Sequence, residues 1–106
     1  MFHTVDDVRK DYEARNPAGH WFSADATRFF GTVYFPKVYM TPCDGSRVYF
    51  VTSERLGFDH DSELAYSVRV YDVPTAEIST IGEFCGDSTL ERAQMRASFI
   101  SGDLSR

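Results

Sequence analysis

Apolar residues recur first at helical spacing and then in alternation, and the switch divides the chain. Val5, Val8 and Tyr12 share one stripe of a helix that opens at Thr4-Val5-Asp6-Asp7. Thr4 can accept from the backbone N–H three residues on, and Asp6 and Asp7 favour the positive end of the helix dipole. Asn16-Pro17-Ala18-Gly19 ends this helix, because the residue before a proline avoids the helical region. A second, short helix is expected from Ala24 to Phe30, capped by Ser23 and stopped by Gly31. Trp21, Phe22, Phe29 and Phe30 around it read as the packing of this turn onto a sheet.

From Val33 the period is that of strands. Val33 to Thr41 is rich in β-formers but carries Pro36, which removes a ladder donor and predicts an edge or bulged strand. Pro42-Cys43-Asp44-Gly45-Ser46 has the chemistry of a hairpin turn. Arg47 to Glu54 is a strong strand, with Val48 and Phe50 on one face and Tyr49 and Val51 on the other. Arg55 to Glu63 is polar, contains Gly57 and reads as a loop. In Leu64 to Asp72, Tyr66, Val68 and Val70 alternate against Ser67 and Arg69. After the turn Val73-Pro74-Thr75-Ala76 comes a last strand, Glu77 to Phe84, where the opposite facing of Ile78 and Ile81 suggests a bulge near Gly82.

Ser88-Thr89-Leu90-Glu91 matches a capping box, and the helix after it runs to about Ser101 before Gly102. Leu90, Ala93, Ala97, Ile100 and Leu104 form its apolar stripe. The predicted fold class is therefore α+β: a four-stranded, mainly antiparallel sheet with an N-terminal helical pair and a C-terminal helix packed on it, in one domain over 1–106.

Composition narrows the function classes. Fifteen per cent of the 106 residues are aromatic, enough to build a core without a metal or disulfides. The net charge of -5 opposes general nucleic-acid binding and adhesion to anionic membranes, and suits a basic protein surface. Met1-Phe2-His3 followed by charged residues is unlike a signal peptide, and no apolar run reaches the length of a span. Cys43 and Cys85 form no CxxC pair, so a reducing cytoplasm is the expected compartment.

Candidate chemistry is sparse. Phe58-Asp59-His60-Asp61-Ser62-Glu63 is the densest polar cluster, but Leu64 and Val70 occupy the positions where a calcium-binding EF-hand loop needs Gly and Glu. His3, His20 and His60 lack zinc spacing. Cys85 precedes Gly86 near the start of the last helix, where a dipole would lower its pKa, yet a free cysteine is more often a small buried hydrophobe. Nucleophile-elbow, phosphate-loop and dinucleotide signatures are missing, and no cofactor is expected. Tyr34, Phe35, Tyr39, Tyr49, Tyr66 and Tyr71 would suit a single-strand stacking platform, but only Lys37, Arg47 and Arg69 stand near them.

The strings Asp11-Tyr12-Glu13-Ala14-Arg15-Asn16-Pro17-Ala18-Gly19-His20-Trp21-Phe22, Arg28-Phe29-Phe30-Gly31, Tyr49-Phe50-Val51-Thr52-Ser53-Glu54, Tyr66-Ser67-Val68-Arg69-Val70-Tyr71-Asp72 and Ile81-Gly82-Glu83-Phe84 cover most of the chain. Together they resemble small uncharacterised proteins of phages and actinobacterial mobile elements. The resemblance implies a viral or mobile-element source in a bacterium and carries no activity.

Three functional expectations follow. The first is a non-enzymatic, anti-CRISPR-like inhibitor in the bacterial cytoplasm, monomeric or homodimeric. It would occlude a host protein or ribonucleoprotein complex with a basic surface, without binding nucleic acid or membrane itself. Asp59, Asp61, Glu63, Asp72 and Glu77 would substitute for phosphates, with Tyr71 beside them in the interface. The second is a single-stranded nucleic-acid binder using the sheet aromatics. The third is a small enzyme with a cysteine or histidine centre.

Overall fold

The computed structural model describes residues 2–19, 22, 32–41, 45–55, 64–81 and 89–101. Along the chain run α1 (Val5–Arg15), β1 (Val33–Met40), β2 (Arg47–Arg55), β3 (Leu64–Asp72), β4 (Glu77–Ile81) and α2 (Leu90–Ser101). The strands pair antiparallel in the order β1-β2-β3-β4, an up-and-down meander. The fold is α+β. One N-terminal helix stands among the described residues; the second one expected over Ala24 to Phe30 lies outside them.

Both faces of the sheet are buried, and each carries a helix. On one face Val48, Phe50 and Tyr71 pack with Val8 of α1, joined by Val5, Tyr12, Phe22 and Val38. On the other, Tyr49, Val51, Val68 and Val70 pack with Ala93 and Ala97 of α2. Alanines at helical spacing let the α2 backbone lie close to the sheet, whereas Met95 and Phe99 point outward at 65% and 70% exposure. The bulge expected near Gly82, with residues 82–84 of the expected last strand, lies outside the described residues. Ile78 belongs to the α1 side and Ile81 to the α2 side, and β4 keeps regular register with β3 from Glu77 to Ile81. Both isoleucines are accommodated by plain alternation.

Pro36 acts as its chemistry requires. β1 is an edge strand, and its register against β2 slips between Tyr34 and Val38, where the strand carries two more residues than its partner. Lys37, within the irregularity, makes an isolated antiparallel bridge to Thr4, so the N-terminus covers part of that edge. At the β1–β2 turn, Gly45 sits at φ 59, a conformation natural to glycine. Pro42, Cys43 and Asp44 of the same expected turn lie outside the described residues.

The helix starts differ in detail from their sequence signatures. In α1, the Asp7 carboxylate reaches back to accept the N–H of Thr4 at 3.1 Å and of His3 at 2.8 Å. These bonds hold Asp7 below the usual carboxylate range. In α2 the cap is Thr89, whose hydroxyl accepts the Arg92 N–H at 3.2 Å. The box expected from Ser88 and Glu91 is thus shifted by one residue, and Arg92 stands where the reciprocal glutamate would be. No helix among the described residues is long and apolar enough to cross a membrane.

Candidate functional site

Polar side chains on the α1 side of the sheet are engaged with one another. Tyr71 is fully buried, and its hydroxyl donates to Asp11 and accepts from Arg15 at 2.9 Å. Burial, reinforced by the Asp11 carboxylate, pushes the Tyr71 phenol up to about 12. Arg15 also holds Asp11 at 2.8 Å and donates to the Val73 carbonyl. Asn16 closes the C-terminus of α1 and donates to the Ala76 carbonyl at 3.1 Å. That bond fixes a turn in which Ala76 takes φ 57, a conformation unfavourable for a residue with a Cβ. Asp11, Arg15 and Asn16 therefore clamp the β3–β4 connection from a helix some sixty residues earlier in the chain. Gly19 completes the clamp by proximity: a Cβ there would come within 2.7 Å of the Tyr12 hydroxyl.

A second polar cluster lies on the same face. Arg69 bonds Glu54 at 3.1 Å and Thr52 at 3.0 Å, and reaches the Thr80 hydroxyl. The Arg69 and Glu54 side chains are 9% and 2% exposed. The alternation in β3 places Ser67 and Arg69 opposite an apolar face, but that face is a second interior. Tyr34 stands close enough for burial, with the Glu54 charge, to raise its phenol to about 12. Every buried side-chain nitrogen and oxygen among the described residues has a partner.

The α2 side ends differently. Cross-strand pairing aligns Arg47 with Asp72 and Asp72 with Glu77, a charged row at the end of the sheet. The next row is Tyr49, Val70 and Ser79, and the next is Val51, Val68 and Ile81. Val51 and Val68 are sealed under α2, while Arg47, Glu77 and Ser79 are exposed. Where the cover ends, a cavity of about 310 Å³ opens, lined by Arg47, Tyr49, Val70, Asp72, Ser79 and Ile81. The Arg47 guanidinium and the Asp72 and Glu77 carboxylates make no ion pair or side-chain hydrogen bond among the described residues. The acids of α1 contrast with them. Asp6 pairs with Arg9 and Lys10, Glu13 with Arg9, and Asp11 with Arg15.

Of the six residues singled out for partner binding, the structure brings Asp72 and Glu77 together on this row. Asp59, Asp61 and Glu63 lie outside the described residues. Tyr71 is corrected: it is 0% exposed and offers nothing to a partner, because α1 packs over its ring with Phe2 and Tyr12 against it. Tyr39 and Tyr49 are also buried, so neither presents an open stacking face. Cys43, Cys85, His20 and His60 lie outside the described residues, and no group of three metal-ligating side chains gathers among the described ones. Arg47 joins the site although the sequence marked it only as one of few cations near the tyrosines. Its signal is the register, which puts it opposite Asp72.

Residues 4–98 match the model of a family of unknown function, DUF7447. The chain belongs to this family. No curated protein matches the chain, and no solved structure does. The DUF7447 match spans α1, the four strands and most of α2, so it includes both the polar clamp and the open charged row.

Proposed function

We propose that this DUF7447 chain is a non-enzymatic module that binds a protein with a basic surface. Its most concrete form is an anti-CRISPR-like inhibitor, of phage or mobile-element origin, that occludes a nucleic-acid-handling complex in the bacterial cytoplasm. The observation that carries the reading is the state of the acids. Asp6, Asp11 and Glu13 of α1 pair with cations on the same helix, whereas Asp72 and Glu77 stand side by side at an open sheet end with no ion pair or side-chain hydrogen bond among the described residues. Fixed carboxylates in this state complement cationic grooves that otherwise hold phosphates, and the net charge of -5 steers them there. Asp59, Asp61 and Glu63 add to the same acidic balance by sequence.

A nucleic-acid binder is the weaker alternative, since the buried sheet tyrosines would have to be uncovered before bases stacked on them. The test is capture of the tagged chain's partners from bacterial lysate at moderate salt, followed by mass spectrometry. Recovery of a nucleic-acid-handling complex, lost when its own nucleic acid is added, is the expected result. Recovery of nothing above background overturns the reading for that host. Strongly salt-dependent binding of the chain itself to oligonucleotides favours the alternative.

A further inference from the structure

We infer that the outer edge of β4 pairs with the same edge of a second copy of this chain, joining the two sheets across a two-fold axis at Ser79. The two edges of the sheet are built differently. β1 carries Pro36, a slip in register and the Lys37–Thr4 bridge, devices that keep an edge from pairing with another chain. β4 has no proline, no lysine and no slip, and no described strand pairs with its outer side. The helices pack mainly on β1, β2 and β3.

Register fixes what this edge offers. The Val73 N–H bonds the Ser46 carbonyl at 2.9 Å, so Arg69 and Tyr71 of β3 turn their backbone groups to β2, and Val68, Val70 and Asp72 turn theirs to β4. Glu77, Ser79 and Ile81 bond back to them, which leaves the N–H and C=O of Ile78 and Thr80 facing outward. An antiparallel pair centred on Ser79 uses all of these groups. Ile78 exchanges both bonds with Thr80 of the second copy, and Thr80 does the same with Ile78 of the second copy.

The side chains suit this occupant. Glu77 makes no ion pair or side-chain hydrogen bond among the described residues, and the two-fold sets it opposite Ile81 of the copy, not opposite itself. Beside Ile81 stands the Arg96 guanidinium, which donates to the Ile81 carbonyl at 3.3 Å. An acid of each chain thus meets a cation of the other. Ser79 is small and exposed, so the strands can close over the axis where it faces itself. A five-residue edge buries well below the standard interface of about 1,600 Å², so the dimer is weak. The inference goes beyond the proposed function and is decided on the purified chain alone; Arg47 and Asp72 stay outside the pairing.

The experiment is sedimentation equilibrium of the full chain from about 10 μM to about 1 mM, at about 0.15 M salt to screen repulsion between like-charged copies. A reversible monomer–dimer equilibrium with Kd on the order of 100 μM is expected. Ser79→Lys, folded by its spectrum, should be monomeric throughout, because it sets like charges face to face. Glu77→Lys and Arg96→Glu should each weaken association roughly tenfold, and mixing the two should restore it. Ser79→Cys, treated with oxidised glutathione, should link two chains through residue 79, since Cα atoms in such a non-hydrogen-bonded pair lie about 4.5 Å apart, within disulfide reach. Peptide mapping separates that link from any through Cys43 or Cys85. The inference is overturned by a chain that stays monomeric up to about 1 mM, by association unchanged in Ser79→Lys, or by dimers linked only through Cys43 or Cys85. An edge reserved for a segment of another protein would give the first of these results.

Discussion

Replacing Tyr71 with phenylalanine isolates the polar clamp from the packing around it. The ring stays, with its edge contacts to Phe2 at 6.0 Å and Tyr12 at 6.4 Å, and only the hydroxyl is lost. That hydroxyl donates to Asp11 and accepts from Arg15. Asp11 and Arg15 keep each other, and their side chains are 36% and 38% exposed, so water replaces part of what they lose. The cost for two bonds is therefore at the lower end, ~1–2 kcal/mol. In a domain of this length that lowers the Tm by roughly 5–15 °C. The pH dependence provides a second readout. The Tyr71 phenol is raised in the folded state from 10.0 to about 12, so the folded chain holds this proton more tightly than the unfolded one. Its stabilisation is complete below pH 10 and is lost as pH rises through about 12. Tyr34 is raised similarly, so Tyr71→Phe should make the alkaline fall in stability shallower without abolishing it. Urea unfolding of both proteins from pH 8 to 12 measures each effect. A variant within ~0.5 kcal/mol of the parent at pH 8, with an unchanged alkaline slope, would refute the clamp.

Arg69→Met should destabilise by ~3–5 kcal/mol, because it strands Glu54 in the interior; the double variant Glu54→Leu with Arg69→Met should recover much of that loss in thermal melts. Gly19→Ala should cost ~1–3 kcal/mol by denaturant unfolding, since its Cβ would press on a Tyr12 ring already held by Phe22 and Tyr71. Asp7→Asn should weaken the start of α1 near neutral pH and remove the part of the acid-induced loss that sets in as pH falls through the ordinary value of 3.8 and is complete below its lowered pKa, followed by far-ultraviolet circular dichroism.

The elements were legible where one local rule sufficed. Alternation located the four strands, the Pro36 ring announced an irregular edge, and the Val5–Val8–Tyr12 stripe marked α1. Failures came where polar residues serve the interior. Alternation set Ser67 and Arg69 on the face opposite Tyr66, Val68 and Val70 but could not show that this face is also interior. Arg69 is accommodated there by Glu54, Thr52 and Thr80, which only the sheet register brings near. Asp11, Arg15 and Asn16 look like ordinary helix-end residues, since nothing local shows that they reach Tyr71, Val73 and Ala76. Tyr71 was misjudged as an interface residue for the same reason. Asp72 and Glu77 were recognisable as acids, but their proximity to Arg47 is a property of the pairing.

Charge reversal within lysate capture tests the functional proposal most directly. The parent chain, Asp72→Lys with Glu77→Lys, and Asp59→Lys with Asp61→Lys would be compared as tagged baits of verified fold. If the charged row at the sheet end meets the partner, the parent recovers a nucleic-acid-handling complex and the Asp72/Glu77 variant loses it. Equal recovery by the parent and the Asp72/Glu77 variant would contradict the proposal, as would loss only in the Asp59/Asp61 variant.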